Sequence, residues 1–142
     1  MPLVNYNRSL LSNFANSSTF VLTAANQLVL EFGLFVPQTP NFVELLTTAG
    51  WTVTNVSPVE PNQPTLMLTI TQDGVPVATS DQESIEDRGD EPLENLATFQ
   101  AVLTNVPTGF HVYRLFARNI QPAQGTITIT GPTNISAKVI TV

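Results

Sequence analysis

The sequence predicts an all-β fold, an eight- to nine-stranded antiparallel jelly-roll sandwich with an N-terminal arm. Short runs rich in β-branched and aromatic residues recur along the 142 residues, as in strands. Turn residues separate these runs at the spacing typical of a sandwich. Strands do not alternate with helical patterns, which excludes a parallel α/β sheet. A chain of this length is expected to form one domain with its own core.

Composition points to a protein that associates with itself. Charged residues make up 11% of the chain, far below the usual value of about 25%, and so few charges protect a surface poorly against self-association. The net charge is −6 with five basic residues, which excludes a phosphate-binding stripe for nucleic acid. The sequence has no cysteine, hence no disulfide, thiolate nucleophile or Cys-ligated metal.

The sequence predicts neither a transmembrane helix nor a standard secretion signal. No run approaches the ~18 apolar residues of a transmembrane helix. The N-terminus lacks a basic region followed by an apolar core, so we expect no standard secretion signal.

Residues 1–17 combine large apolar side chains with Asn and Ser, and they follow neither the strand nor the helix period. A disordered leader would not need these apolar groups. Two alternatives remain: the first strand of the domain's own sheet, or an arm that adds a strand to a neighbouring subunit. We divide the chain into this arm and a jelly-roll domain at 18–142. The arm residues predicted to dock on the next subunit are Leu3, Val4, Tyr6, Leu10, Leu11 and Phe14.

In the first half of the domain, strands are predicted at 19–23, 27–36 and 41–56. The nearly continuous apolar run at 27–36 predicts a strand buried on both faces. The third segment reads as a long strand bent at Gly50, although Asn41 could instead cap a helix. The proline-rich stretch 57–64 ends it.

In the second half, Asp73-Gly74 predicts a two-residue hairpin turn between strands 65–71 and 75–80. Pro76 indicates an edge strand. Residues 97–104 alternate, with Phe99, Ala101 and Leu103 facing inward. After a turn at 121–125, we predict a strand at 126–130, a break at Gly131-Pro132 and a last strand at 134–142.

The strand that starts after the turn at 107–109 carries the main indication of function. Tyr113, Leu115 and Ala117 share its core face. The opposite face should be polar if water covers it, yet apolar side chains alternate there with arginines. We therefore predict that another subunit covers this face. The residues assigned to this contact are Val112, Arg114, Phe116 and Arg118.

No catalytic residue, cofactor or metal site is predicted. His111 is the only histidine, without a Ser-His-Asp arrangement, and we interpret it as structural. The acidic segment 81–94 could bind calcium through carboxylates, remain a solvated loop, or meet Arg114 and Arg118 of a neighbour. The candidate calcium ligands are Asp87, Asp90, Glu91 and Glu94.

Residues 104–113, the segment 125–132 and the final hydrophobic strand, together with the strands at 73–77 and 99–102, resemble small jelly-roll proteins of Bacillus-type endospore surfaces. These include exosporium proteins and subunits of endospore appendages, with a TNF/C1q-like fold. The resemblance implies a non-enzymatic, self-assembling role at the spore surface, with other spore-surface proteins as further partners. In appendage subunits an N-terminal extension links neighbours, and the covalently linked types use cysteines there. This chain has none, so its linkage would be non-covalent.

The expected function is a structural subunit that self-assembles into a fibre or surface layer on a bacterial endospore. Two alternatives share the fold. One is a compact trimeric TNF/C1q-like binding module, and the other is a viral capsid or fibre domain.

Overall fold

The computed structural model describes residues 2–58, 63–84 and 93–142, which form strands and one 3₁₀ turn. The all-β prediction is confirmed. The strands are β1 (Leu3–Ser12), β2 (Phe20–Val21), β3 (Gln27–Val36), β4 (Asn41–Thr54), β5 (Thr65–Gln72), β6 (Val75–Glu83), β7 (Leu93–Thr104), β8 (Gly109–Asn119) and β9 (Thr126–Thr141), and the 3₁₀ turn is Pro122–Gln124.

The strands form two antiparallel sheets packed face to face. Sheet A has the order β1-β9-β4-β7, with the short β2 also paired to β9. Sheet B has the order β3-β8-β5-β6. From β3 to β9 the chain passes from one sheet to the other at every step except the β5–β6 hairpin.

The core lies between the sheets and is anchored by two buried aromatic residues with polar tips. The Trp51 Nε1–H donates to Gln82 Oε1 at 3.0 Å, and the Tyr113 hydroxyl donates to Gln72 Oε1 at 2.8 Å. The two acceptors lie near the ends of strands in sheet B. The polar tip of each buried aromatic side chain therefore has a hydrogen-bond partner. The prediction that Phe99, Ala101 and Leu103 face inward is confirmed, since they pack against the core.

The predicted hairpin is present between β5 and β6. Asp73 and Gly74 have φ values of 51° and 86°, as a type I′ turn requires at both central positions. Pro76 lies in β6, which is the last strand of sheet B. The edge position predicted from this proline is therefore confirmed.

The prediction that residues 27–36 are buried on both faces is wrong. In β3 the residues Leu30, Phe32, Leu34 and Val36 are buried, whereas Glu31 and Phe35 on the other face are exposed and Gly33 is half-buried. An apolar run is compatible with an outer strand whose second face is simply left apolar, and β3 is such a strand at the edge of sheet B.

The predicted break at Gly131-Pro132 is also wrong, because β9 runs through it. The pairing of β9 with β4 shifts register there, between Ala49 and Trp51. Proline is tolerated at such an irregularity, where a ladder hydrogen bond is already interrupted. Residues 41–54 form the long strand that we predicted rather than the helical alternative.

Residues 3–12 form β1, which pairs with β9 of the same chain. This is the first of the two alternatives for the N-terminal stretch. The loop that follows is fixed to β9, since the backbone N–H groups of Ser17 and Ser18 donate to Thr130 O at 2.8 and 3.2 Å.

Candidate interaction surfaces

The outer surface of sheet A, here called the sheet A face, is formed by side chains of β1, β9, β4 and β7. Residues opposite one another in antiparallel strands point to the same side, so the register defines four rows across the sheet. The rows are Leu3–Ile140–Phe42–Thr104, Tyr6–Lys138–Glu44–Val102, Arg8–Ser136–Leu46–Gln100 and Leu10–Asn134–Thr48–Thr98.

Large apolar side chains are spread over this face. Leu3, Tyr6 and Leu10 are 41–55% exposed, and Leu46 and Val102 are 46% and 53% exposed. Single exposed apolar residues are normal, but five on one face of a sheet make that face a candidate interaction surface, here with polar and charged residues between them. The sequence singled out the β1 residues but not Leu46 and Val102. The signal for Val102 was its outward phase in a strand whose inward residues Phe99, Ala101 and Leu103 were already assigned, whereas no inward residues were assigned for the strand that contains Leu46.

The opposite side of β1 is polar. Asn5 and Asn7 pair with Val139 and Ala137 of β9, and their side chains reach the adjacent edge of sheet B. Their Nδ2 groups donate to Phe35 O at 2.7 Å and Gly33 O at 2.6 Å.

The amide oxygens of the same two asparagines are also occupied. Asn5 Oδ1 accepts from Tyr6 N–H, and Asn7 Oδ1 accepts from Arg8 N–H, both at 2.9 Å. The side chains of Asn5 and Asn7 therefore pair with two backbone N–H groups on the edge of β1 and two backbone carbonyls on the edge of β3. Unpaired edge groups are what a foreign strand would use to join a sheet, so this side of the sandwich is closed.

The predicted contact residues of β8 lie on the outer surface of sheet B. Val112, Arg114, Phe116 and Arg118 are all half-buried there. Arg114 Nε lies 2.6 Å from Glu31 Oε2 on β3, and Arg118 approaches Ala24 O at 3.4 Å and Met67 Sδ at 3.5 Å. Both arginines therefore have partners within the chain. These contacts hold the two side chains on the same face as the apolar Val112 and Phe116.

Aromatic side chains cover one end of the same surface. Phe110 and Phe35 lie opposite each other on β8 and β3, 68% and 47% exposed. The Phe110 ring lies over Gly33, where an added Cβ would collide with it. Glycine at this position lets the ring lie flat against the sheet.

The two predicted groups of contact residues lie on opposite faces of the sandwich. Leu3, Tyr6 and Leu10 belong to the sheet A face, while the β8 group belongs to sheet B. Val4 and Leu11 are exposed at the register shifts of β1. Phe14 lies in the following loop and is 75% exposed. The structure thus does not unite these residues into one surface.

His111 forms a buried link between two turns. Its Nδ1 lies 2.6 Å from Asp73 Oδ2 and its Nε2 lies 2.6 Å from Pro107 O. Asp73 Oδ1 also accepts from Val112 N–H at 2.8 Å. Burial alone would lower the pKa of His111, but hydrogen bonds to Asp73 and to the Pro107 carbonyl raise it above the ordinary value. Both ring nitrogens face acceptors, so the imidazolium satisfies both.

This link predicts a pH-dependent contribution to stability. The Val112 N–H and the His111 ring hold the pKa of Asp73 below its usual range. The raised pKa of His111 stabilises the fold at pH values below about 6.5, the pKa of histidine in the unfolded chain, and this effect is lost as the pH rises through the folded pKa. The lowered pKa of Asp73 stabilises the fold at pH values above about 3.9, the pKa of aspartate in the unfolded chain. The link is therefore strongest between about pH 4 and 6.5.

Replacing His111→Gln is expected to lower the free energy of unfolding by on the order of 1–3 kcal/mol. Urea unfolding should show a larger difference from wild type at about pH 5.5 than at about pH 8.5. The control is Thr79→Gln, an exposed position on β6. An equal difference at both pH values would show that His111 acts only by packing.

The described residues contain no group of three or more His, Cys, Asp or Glu side chains that could hold a metal. Asp87, Asp90 and Glu91, three of the candidate calcium ligands, lie outside the described residues. Glu94 accepts a hydrogen bond from Asn16 Nδ2 at 3.4 Å. No helix in 2–58, 63–84 or 93–142 is long and apolar enough to cross a membrane.

Comparison with known proteins gives only distant likenesses. No protein-family model and no curated protein match the sequence. One similar structure is the insecticidal delta-endotoxin Cry8Ea1 from Bacillus thuringiensis, with a TM-score of 0.44 and 9% identity over 82% of this chain and 19% of that one. Another is a family GH115 4-O-methyl-α-glucuronidase specific for decorated arabinogalactans, with a TM-score of 0.39 and 16% identity over 100% of this chain and 18% of the other. This chain spans less than a fifth of either protein's length, and at these TM-scores neither likeness carries an argument about function.

Proposed function

We propose that this chain is a non-enzymatic structural subunit that self-assembles into a fibre or surface layer. The observation that carries the proposal is that five large exposed apolar side chains share the sheet A face, in a chain with few charges to keep copies apart. The location on a bacterial endospore rests on the sequence resemblance alone.

We assign the sandwich to the jelly-roll type. The strand order supports this, because β1-β9-β4-β7 faces β3-β8-β5-β6 and, from β3 to β9, consecutive strands alternate between the sheets except at the β5–β6 hairpin. An eight-stranded double sheet of this kind is built from two Greek keys. It leaves two broad faces on opposite sides of the subunit, and contacts between different faces would build an open array wherever successive rotations do not close into a ring.

Subunits in this proposal are linked by exchange of β1. None of the ten residues of β1 is buried, so the strand can leave its own domain without exposing a buried side chain of its own. It would pair with β9 of the next subunit and repeat there the contacts that it makes within one chain. Backbone hydrogen bonds would supply affinity and Asn5 and Asn7 would set the register. No cysteine is involved, so the linkage is non-covalent.

The test is the state of assembly of the purified protein by light scattering and negative-stain electron microscopy. We expect polymers, and we expect Val102→Lys to weaken association by about tenfold or more because it places a charge on the sheet A face. Val75→Lys is the matched control, since Val75 is similarly exposed but lies beside the β5–β6 turn. Discrete trimers would favour the binding module, and a monomer at high concentration would end the proposal.

A further inference from the structure

We propose that the sheet A face packs against the same face of a second copy, around a two-fold axis parallel to the strands and lying between β9 and β4. This inference rests on the proposed self-assembly and names one of its contacts. A rotation about such an axis places β9 over β4 of the partner and β1 over β7 of the partner. Each row defined above then faces itself in reverse order.

Two apolar pairs meet under this operation, whereas Leu3 faces Thr104 and Leu46 faces Ser136. In the first row, Ile140 of one copy faces Phe42 of the other. In the second row, Tyr6 faces Val102, so the apolar residues at the two outer edges of the sheet cover each other. In the last row, Leu10 faces Thr98. Aligned packing of two sheets, within about 30°, allows such side chains to interdigitate.

The charges of the face select this axis. Lys138 and Glu44 lie side by side on β9 and β4, and neither has an ion-pair partner among the residues that the structure describes. The two-fold axis brings each Lys138 over Glu44 of the other copy, twice per contact. Arg8 faces Gln100, so no like charges meet. An axis perpendicular to the strands at this row would instead place Lys138 over Lys138, which is unfavourable.

The area is sufficient for a specific contact. Four strands about 4.8 Å apart and roughly eight residues long at about 3.3 Å per residue cover on the order of 500 Å² of flat surface per copy. Two copies therefore bury roughly 1,000 Å² or more, the size from which specific interfaces begin. This corresponds to a reversible contact between subunits rather than an obligate dimer.

The test exchanges the two charges, using the full chain in sedimentation velocity over a concentration series. Lys138→Glu and Glu44→Lys each place like charges together twice, and each should weaken association by about tenfold or more. The double variant K138E/E44K restores opposite charges and should associate within about threefold of wild type. Because both residues point outward, thermal unfolding should show that all three variants fold.

Each result decides one question. Single variants that associate as wild type does, or a double variant as weak as the single ones, would overturn this contact while leaving self-assembly intact. A wild-type chain that stays monomeric would instead remove the proposed function, and this inference with it. Thr79→Glu on the exposed part of β6 is the control for added charge elsewhere, and it should leave association unchanged.

Discussion

Deletion of residues 1–15 is expected to leave a folded, soluble domain that no longer forms filaments. The removed strand contributes no buried side chain, and its inward positions hold Asn5, Asn7 and Ser9 rather than apolar groups. The cost to the free energy of unfolding is the loss of one edge strand's hydrogen bonds, on the order of a few kcal/mol. The deletion removes the strand that links subunits in the proposed assembly, so polymerisation should stop completely.

The measurement is circular dichroism for the fold and negative-stain electron microscopy for filaments. Filaments that persist after the deletion would falsify the role of β1 in linkage. A synthetic peptide of residues 1–17 provides the matched control, since it should bind the vacant edge of β9 in the truncated domain. The same peptide with Asn5→Ala and Asn7→Ala should bind about tenfold more weakly, because Phe35 O and Gly33 O then lose their donors.

Gly50→Ala is expected to lower the free energy of unfolding by about 3–5 kcal/mol, a large part of the stability of an ordinary domain. Gly50 lies where β4 crosses the irregular part of β9. An added Cβ there would collide with the backbone carbonyl of Gly131 and crowd the nitrogen of Pro132. These are main-chain atoms in a central strand, so they cannot move aside as the end of a flexible side chain could.

Gly74→Ala is the matched control for Gly50→Ala. Gly74 is in the β5–β6 turn with a φ of 86°, and an added Cβ would meet no atom within 4 Å. This variant loses only the ability of glycine to adopt a positive φ without strain, which costs roughly 1 kcal/mol. Urea unfolding of both variants separates the two effects, and similar losses at the two positions would contradict the steric explanation for Gly50.

The features that the sequence predicted correctly are local. The Asp73-Gly74 turn follows from two residues that adopt positive φ. The inward phase of Phe99, Ala101 and Leu103 follows from alternation within one strand. Neither depends on knowing which strand lies alongside.

The features that it missed depend on partners distant in the chain. The sequence around Gly131-Pro132 looks like a break, and only the contact with Gly50 makes it an irregularity within one strand. Residues 27–36 look doubly buried because an apolar run does not say whether a strand is central or at an edge.

The same reason limits prediction of the sheet A face. Leu46 and Val102 are far apart in sequence, and they join Tyr6 and Leu10 on one surface only through the register of four strands. The N-terminal residues could be singled out because their apolar character was unusual for a leader. Their placement beside β9 could not be, since strand and arm alternatives predict the same local pattern.

If β1 is exchanged between subunits as proposed, the side-chain amides of Asn5 and Asn7 would favour pairing between copies of the same chain. An N-terminal strand of an unrelated protein could form the ladder with β9, but without carboxamides at these two positions it would leave Phe35 O and Gly33 O of β3 without their donors. In a mixture of subunits that differ at positions 5 and 7, we therefore expect each kind of subunit to form its own polymers.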